Sequence, residues 1–225
     1  MDLGQAVDYT ALACIEQTKT DGIKEYALRH LQRFPIGTSY PDIVSQVGKI
    51  INQPPLAGCK LVPDATGVGR AVTDLLRTAG LRATIIPITI TGGIKATADG
   101  RGGVHVPKRE LVSVLQVLLQ THRLKIPATM PLAGVLVREL QTFKVKVTEA
   151  ANETYGAWRE RDHDDLVLAT ALALWLGQNF PEPYTGPLVY WPPPPPTDPP
   201  PTKSWIEEVV EQMDRDDERQ DRWHH

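Results

Sequence analysis

The stretch of sequence that decides the fold is RDHDDLVLATALALW, residues 161–175. Its second half consists almost wholly of Ala, Leu and Val, which predicts a helix that other elements cover on most sides. Its head carries three acids and a histidine in four consecutive positions: Asp162, His163, Asp164 and Asp165. The sequence therefore places charge at the edge of a buried core.

These acids have a structural explanation and a chemical one. An acid is favoured at a helix N-terminus because its oxygen caps free N–H groups and its charge meets the positive end of the helix dipole. Asp162 is the best candidate for such a cap. Three acids exceed what a cap needs, and clustered carboxylates in a partly dry place repel one another unless a cation or a proton intervenes. From this stretch alone, a capping cluster and a metal site both remain open.

Length and composition exclude several classes of protein. A chain of 225 residues with 41% hydrophobic content is long enough to bury a core. Cys14 and Cys59 lie in apolar runs, which predicts reduced core thiols rather than a disulfide framework or a zinc site. No apolar run reaches the ~18 residues that a membrane span needs, and no signal peptide precedes the fold. We therefore expect a soluble protein of the cytoplasm.

The order of apolar patterns along the chain predicts an α/β fold. The strand, helix and strand near the middle of the chain form a βαβ unit, which implies a parallel pair of strands. The predicted elements are a hairpin over residues 9–31, a helix over 41–51, a strand at 59–62, a helix over 68–79, a strand over 83–90, a hairpin or flap over 91–107, helices over 107–120 and 132–143, and a strand over 144–149.

The chain divides into a folded part and a tail of different composition. Residues 1–180 are predicted to form one domain. Eleven of the 20 prolines lie within residues 181–201, so residues 181–203 are predicted to be an extended linker. Residues 204–225 hold most of the excess acid, and we expect a short helix or a disordered segment there.

Two further acids are expected to meet the acids of the late helix. Asp64 ends a predicted strand, and functional residues gather at the carboxyl ends of parallel strands. Asp2 would lie beside it if residues 1–4 are the end of a first strand whose beginning has been cut off or lies in another polypeptide. Gly67 and Gly69 also fit a nucleotide-binding turn, although its third glycine is absent. Carboxylates without Cys or several His favour Mg²⁺ or Mn²⁺.

Three segments carry a family resemblance. In this order, DLGQAVDYTALA (residues 2–13), LVPDATGVG (residues 61–69) and HDDLVLATALA (residues 163–173) resemble the ribonuclease H-like nuclease domain of phage terminase large subunits. The similarity covers about residues 2–178. It implies a central mixed sheet with an antiparallel hairpin and parallel strands, flanked by helices. It also implies a metal-dependent DNA endonuclease that cuts concatemeric viral DNA during genome packaging, in the host cytoplasm if a phage encodes the chain.

The resemblance also assigns roles to residues. Asp2 and Asp64 correspond to the two sheet carboxylates that hold divalent metal, Mg²⁺ or Mn²⁺, in a two-metal site. Asp165 corresponds to the acid on the helix and is expected to be a direct ligand. Asp164 is expected to assist as a further catalytic acid, and His163 to support the ligands from outside. Such a site hydrolyses phosphodiesters by activating a water and stabilising the leaving oxygen.

Double-stranded DNA is the expected partner, together with an ATPase motor domain, a portal or a small terminase subunit. Several basic residues between positions 95 and 125 are expected to contact DNA phosphates. They are Lys95, Arg101, Lys108 and Arg109, with Arg123 and Lys125 beyond them. Nothing resembles a Walker A loop, so an excised domain, a split gene product or a relative without its own motor is expected. A Holliday-junction-resolvase-like nuclease and a non-catalytic DNA-binding or packaging module remain alternatives. No membrane and no small-molecule cofactor are expected.

Overall fold

The structure is a computed structural model that describes residues 1–4, 8–149 and 164–180. The predicted proline-rich linker and acidic tail lie outside the described residues, as do Asp162 and His163. The described part is a mixed α/β protein, in which small sheets of parallel and antiparallel strands are flanked by helices. Within it, no helix is both long enough and apolar enough to cross a membrane.

Thirteen elements follow one another along the described chain. They are β1 (Thr10–Thr20), β2 (Ile23–Phe34), α1 (Tyr40–Ile51), β3 (Cys59–Leu61), α2 (Gly69–Thr78), β4 (Ala83–Ile85), β5 (Ile88–Thr91), β6 (Thr97–Ala98), β7 (Val104–Pro107), α3 (Lys108–Gln120), β8 (Leu124–Lys125), α4 (Ala133–Glu149) and α5 (Asp165–Asn179).

The predicted hairpin is confirmed as the long antiparallel pair of β1 and β2, whose register runs from Thr10 opposite Phe34 to Thr20 opposite Ile23. Asp21 and Gly22 form its two-residue turn with φ of 51° and 83°. An Asp-Gly turn with both φ values positive matches the twist of the strands that it joins, which explains why the chain reverses there.

Three sheets make up the β structure, in the orders β1-β2-β8, β3-β4 and β5-β7-β6. The predicted parallel pair is confirmed, because β3 and β4 align Cys59 with Ala83 and Leu61 with Ile85. Isolated bridges extend the pairing beyond the strands, with Asp2 antiparallel to Ala11 and Asp64 parallel to Ile88. The sheets are therefore neighbours in one layer rather than independent units.

Two predictions of secondary structure are wrong. Residues 144–149 were expected to form a strand because Lys and Val alternate there, but helix α4 continues through Glu149. A helix that has already formed gains one hydrogen bond for each residue that it adds, which outweighs a short alternating pattern. The strand expected over residues 83–90 is divided into β4 and β5 at Pro87, a residue that has no N–H to donate to a ladder.

Helix α5 lies at the centre of the larger of two hydrophobic clusters, as its sequence predicts. Its residues from Leu166 to Leu172 are all buried, and it packs against β1, β2, α3 and α4. The indole of Trp175 donates a hydrogen bond of 3.0 Å to Glu110 on α3. The second cluster lies under α1 and α2 on the other side of the sheet layer. This packing fixes where the N-terminus of α5 meets the sheet.

Candidate carboxylate site

The first two residues occupy the space between β1 and β3. Asp2 and Ala11 exchange backbone hydrogen bonds of 2.9 and 3.0 Å. On the other side, the amino group of Met1 donates to the carbonyl of Val62 at 2.8 Å, and the N–H of Asp64 donates to the carbonyl of Met1 at 2.9 Å. These bonds make a short parallel pairing in which Asp2 stands opposite Asp64. Asp2 and Asp64 are therefore neighbours, as the sequence predicts.

The register extends this pairing into a row across the layer. Ala11 is the partner of Asp2 on one side and of Arg33 on the other. Residues that stand directly opposite each other point their side chains to the same face of a sheet. Arg33 and Asp2 thus share a face with the small, fully buried Ala11 between them, which leaves room for both side chains to extend over it.

A tight turn holds Asp64. The residue is 3% exposed, and its Oδ1 accepts a hydrogen bond of 2.8 Å from the backbone N–H of Thr66. Gly69 begins α2 beside it, where an added Cβ would overlap the carbonyl oxygen of Asp64. The close approach of two backbones explains this glycine without a nucleotide. The glycine-rich turn accordingly serves to place Asp64 at the end of its strand.

Helix α5 brings two more acids to this edge. Asp164 is its N-cap residue but makes no side-chain cap hydrogen bond. The cap comes instead from another helix, since Oε2 of Glu139 on α4 accepts a hydrogen bond of 3.3 Å from the N–H of Val167. Capping therefore does not account for Asp164. Asp162, which was expected to be the cap, lies outside the described residues.

Asp165 is buried and held by an arginine. Arg33 donates from Nε to Oδ2 of Asp165 at 2.6 Å and from Nη2 to Oδ1 at 3.0 Å, and Nη2 also donates to Glu139. The side chain of Arg33 is 17% exposed, and its guanidinium lies 4.8 Å from the centre of the Tyr9 ring. A two-pronged pairing of this kind fixes the carboxylate in direction as well as in position.

The charges of three of the predicted acids act on the fourth, Asp2. The pKa of Asp2 is raised well above its usual value, first by burial and then by the negative charges of Asp64 and Asp164, with a smaller contribution from Asp165. Burial also raises the pKa of Glu139 to about 7, although the positive charge of Arg33 opposes the rise. The structure thus brings Asp2, Asp64, Asp164 and Asp165 into one electrostatic neighbourhood.

The donor chemistry of this neighbourhood suits a hard divalent cation. Asp2, Asp64 and Asp164 offer carboxylate oxygens, which are the ligands that Mg²⁺ and Mn²⁺ prefer. In the part of the chain that the structure describes, no group of three or more His, Cys, Asp and Glu side chains is arranged so that it could hold an ion.

The predicted basic residues do not form one group. Lys95, Lys108 and Arg109 follow the ends of β5 and β7, which run parallel to the strand that ends at Asp64, so they lie toward the same edge of the layer. Arg101 lies in the turn that precedes β7, at the opposite end of that strand. Arg109 donates a hydrogen bond to the carbonyl of Ile94.

The two basic residues farther along the chain are engaged elsewhere. Arg123 donates to the carbonyl of Lys24 at 2.7 Å and to Gln178, near the C-terminal end of α5. Lys125 pairs with Glu25 at 2.8 Å. Since α5 has 15 residues and a helix rises ~1.5 Å per residue, this end lies about 20 Å from Asp164. Both contacts favour a structural role for Arg123 and Lys125.

Sequence reasoning missed Arg33 and Glu139. Arg33 looked like an ordinary charged residue near the end of an amphipathic strand. Glu139 carried a usable signal, because it is a lone acid on the face of α4 that buries Leu136 and Phe143. A charged residue on a buried face is rare unless it is paired, and such a position predicts a partner.

A separate cavity of about 210 Å³ is lined by Met1 and by residues of β1, β3 and α5. It is mostly apolar, and both cysteines of the chain line it. Burial raises the pKa of Cys14 to about 11 and raises that of Cys59 as well. Both thiols are reduced in the structure, as the sequence predicts.

Comparison with known proteins found no match to this chain, whether among protein-family models, curated proteins or solved structures.

Proposed function

We propose that this protein is a metal-dependent DNA endonuclease with a ribonuclease H-like arrangement, similar to the nuclease of terminase large subunits. The observation that carries the proposal is the convergence on Asp2. Acids from two distant parts of the chain, Asp64 at a strand end and Asp164 and Asp165 at a helix N-terminus, raise its pKa together with burial. A fold has no structural need to gather four acids at one edge, and a cation relieves their repulsion.

The order of the strands supports the same proposal. Read through the bridges, the layer runs β8-β2-β1, then Met1–Asp2, then β3 with β4 and β5. The antiparallel hairpin thus lies beside parallel strands. The acids lie where the segment Met1–Asp2, strand β3 and the N-terminus of α5 meet. A hairpin beside parallel strands is one part of what the resemblance implies, and it supports the proposal.

Each part of the site has a definite task under this proposal. Asp2 and Asp64 would hold divalent metal from the sheet, and an acid of the α5 N-terminus would hold it from the other side. The chemistry that such ions supply is activation of a water nucleophile and stabilisation of the leaving oxygen. Thr66 orients Asp64 through its N–H, and Lys95, Lys108 and Arg109 would contact DNA phosphates.

The deciding experiment is nicking of a supercoiled plasmid with Mn²⁺ or Mg²⁺, with and without EDTA. We expect cleavage that needs the metal and that Asp64→Ala and Asp165→Ala abolish. The matched control is Asp74→Ala, which removes an exposed acid from α2 that pairs only loosely with Arg77 at 3.5 Å. Absence of cleavage with either metal, or undiminished cleavage by Asp64→Ala, refutes the proposal.

A parallel assay distinguishes the type of nuclease. A terminase-like enzyme is expected to cut linear duplex DNA, and a resolvase-like enzyme is expected to prefer a four-way junction of the same sequence. The proposed protein partners, an ATPase motor, a portal or a small terminase subunit, are tested by co-purification of the defined components after nuclease activity has been measured.

A further inference from the structure

We propose that Arg33 and Glu139 are positioning residues, which fix the first turn of α5 so that Asp164 is presented to Asp2 and Asp64 while Asp165 serves as the anchor. This inference rests on the proposed function for the identity of the site. The inference goes beyond the proposed function because it assigns roles to two residues that the resemblance does not name. It also assigns different roles to the adjacent residues Asp164 and Asp165.

The first step of the argument is the helix cap. The first N–H groups of a helix have no partner within the helix, and a side chain of the N-cap residue usually accepts from one of them. Here Glu139 accepts from Val167, while Asp164 in the N-cap position makes no cap bond. Glu139, on another helix, thus caps α5, and the side chain of Asp164 does not serve as the cap.

The second step is the direction of Asp165. Arg33 occupies both carboxylate oxygens of Asp165, and adjacent residues of a helix point about 100° apart because a turn has 3.6 residues. When Asp165 is turned toward Arg33, Asp164 must therefore point elsewhere. Because Arg33 occupies both of its oxygens, Asp165 fits an anchor better than a ligand that must offer an oxygen to an ion.

The third step is the rigidity of the frame. Arg33 contacts Glu139 as well as Asp165, so strand β2, helix α4 and helix α5 meet at one guanidinium. Ala11 separates Arg33 from Asp2 in the row across the sheet. A planar guanidinium with a fixed set of donors holds such a junction in one geometry. The position of the α5 N-terminus relative to Asp2 is then fixed by the pairing of Asp2, Ala11 and Arg33 and by the side-chain contacts of Arg33.

The electrostatics agree with this division. The negative charge of Asp164 raises the pKa of Asp2 more than that of Asp165 does. Asp164 is therefore the helix acid whose charge acts more strongly on Asp2, whereas Arg33 offsets the charge of Asp165.

The test compares metal binding by five variants of the full chain. Mn²⁺ affinity is measured by titration calorimetry and by the electron paramagnetic resonance signal of free Mn²⁺. Glu139→Ala removes both the cap and the charge, whereas Glu139→Gln keeps an oxygen that accepts from Val167. Asp164→Asn and Asp165→Asn compare the two aspartates at nearly constant volume. Gln141→Ala, at an exposed position of α4, is the control for changes in that helix.

We expect Glu139→Ala to weaken Mn²⁺ binding about 10–100-fold, as loss of an outer partner commonly does, and Glu139→Gln to restore most of it. Asp164→Asn is expected to abolish binding at one site without lowering the melting temperature of the metal-free protein. Asp165→Asn is expected to lower that temperature while binding persists with reduced affinity. For nuclease activity, Glu139→Ala is expected to lower kcat with little change in KM for DNA.

Amide hydrogen exchange gives a readout that does not depend on metal. Exchange at Val167 is expected to accelerate at least tenfold in Glu139→Ala and to remain near the wild-type rate in Glu139→Gln and Gln141→Ala. Unchanged exchange in Glu139→Ala, or loss of metal by Asp165→Asn with retention by Asp164→Asn, overturns the inference. If the wild type binds no Mn²⁺, the proposed function fails, and the positioning of α5 is then judged on the exchange rates alone.

Discussion

Replacing Arg33 with methionine tests how strongly the three-element junction stabilises the fold. Methionine keeps the apolar stem and removes the guanidinium that pairs with Asp165 and Glu139. Those carboxylates are 5% and 7% exposed at their side chains, so water cannot replace the lost partner. Removing one member of a buried ion pair leaves uncompensated charge, which typically costs about 3–5 kcal/mol.

This cost predicts a large change in thermal stability. For a domain of this size each kcal/mol lowers the melting temperature by about 2–4 °C, so Arg33→Met is expected to melt about 6–20 °C below the wild type. The control is Arg29→Met on the same strand. Arg29 pairs with Glu16, but the two side chains are 62% and 48% exposed, and such pairs contribute about 0–1 kcal/mol.

The stability that Arg33→Met loses should depend on pH, and the pKa of Glu139 determines in which direction. Its pKa is raised to about 7 in the folded protein, above its unfolded value, so its protonated form stabilises the fold. That contribution is fully present below the unfolded pKa and is lost as the pH rises through about 7. Arg33 is the charge that lowers this pKa, so its removal raises the pKa of Glu139 further. The variant should therefore lose more stability at pH about 8 than at pH about 5.5.

Urea denaturation followed by circular dichroism at the two pH values measures both effects. A loss below about 1 kcal/mol, equal to that of the exposed control, would show that the junction contributes little and would refute the reasoning. A deficit larger at the lower pH would refute the role assigned to Glu139.

Four further predictions concern Asp2, Gly69 and Cys14. Asp2→Asn is expected to raise the melting temperature of the metal-free protein near neutral pH. The reason is that burial, Asp64 and Asp164 raise the pKa of Asp2, so the charged form of Asp2 opposes folding. A melting temperature below that of the wild type contradicts this. The same variant should lose the stabilisation that added Mn²⁺ gives the wild type and that EDTA reverses, as a thermal shift assay will show. Gly69→Ala is expected to cost about 1–3 kcal/mol through overpacking against Asp64, and a neutral effect in urea denaturation would show that α2 moves freely. Cys14, with its pKa raised to about 11, should hold about 100-fold less thiolate at neutral pH than a free cysteine and react slowly with a disulfide reagent; reaction at the rate of the unfolded chain would contradict its burial.

Much of the local structure followed from the sequence. The sequence predicted the hairpin that β1 and β2 form, and the Ala- and Leu-rich run predicted a buried helix at α5. Local patterns decide such features because turn geometry and helical periodicity depend on neighbouring residues. The strand predicted over residues 144–149 is wrong because a short alternating pattern does not reveal that a helix already runs into it.

The site divides in the same way between sequence and structure. The sequence by itself singled out Asp2, Asp64, Asp164 and Asp165, because carboxylates at a strand end and at the head of an apolar helix need an explanation wherever they occur. It could not distinguish a cap from a ligand, since that depends on which group reaches the free N–H groups of α5. Only the tertiary structure showed that Glu139 caps the helix and that Arg33 holds Asp165. These partners lie 28 and 132 positions away along the chain, and contacts at such separations are set by how strands and helices pack.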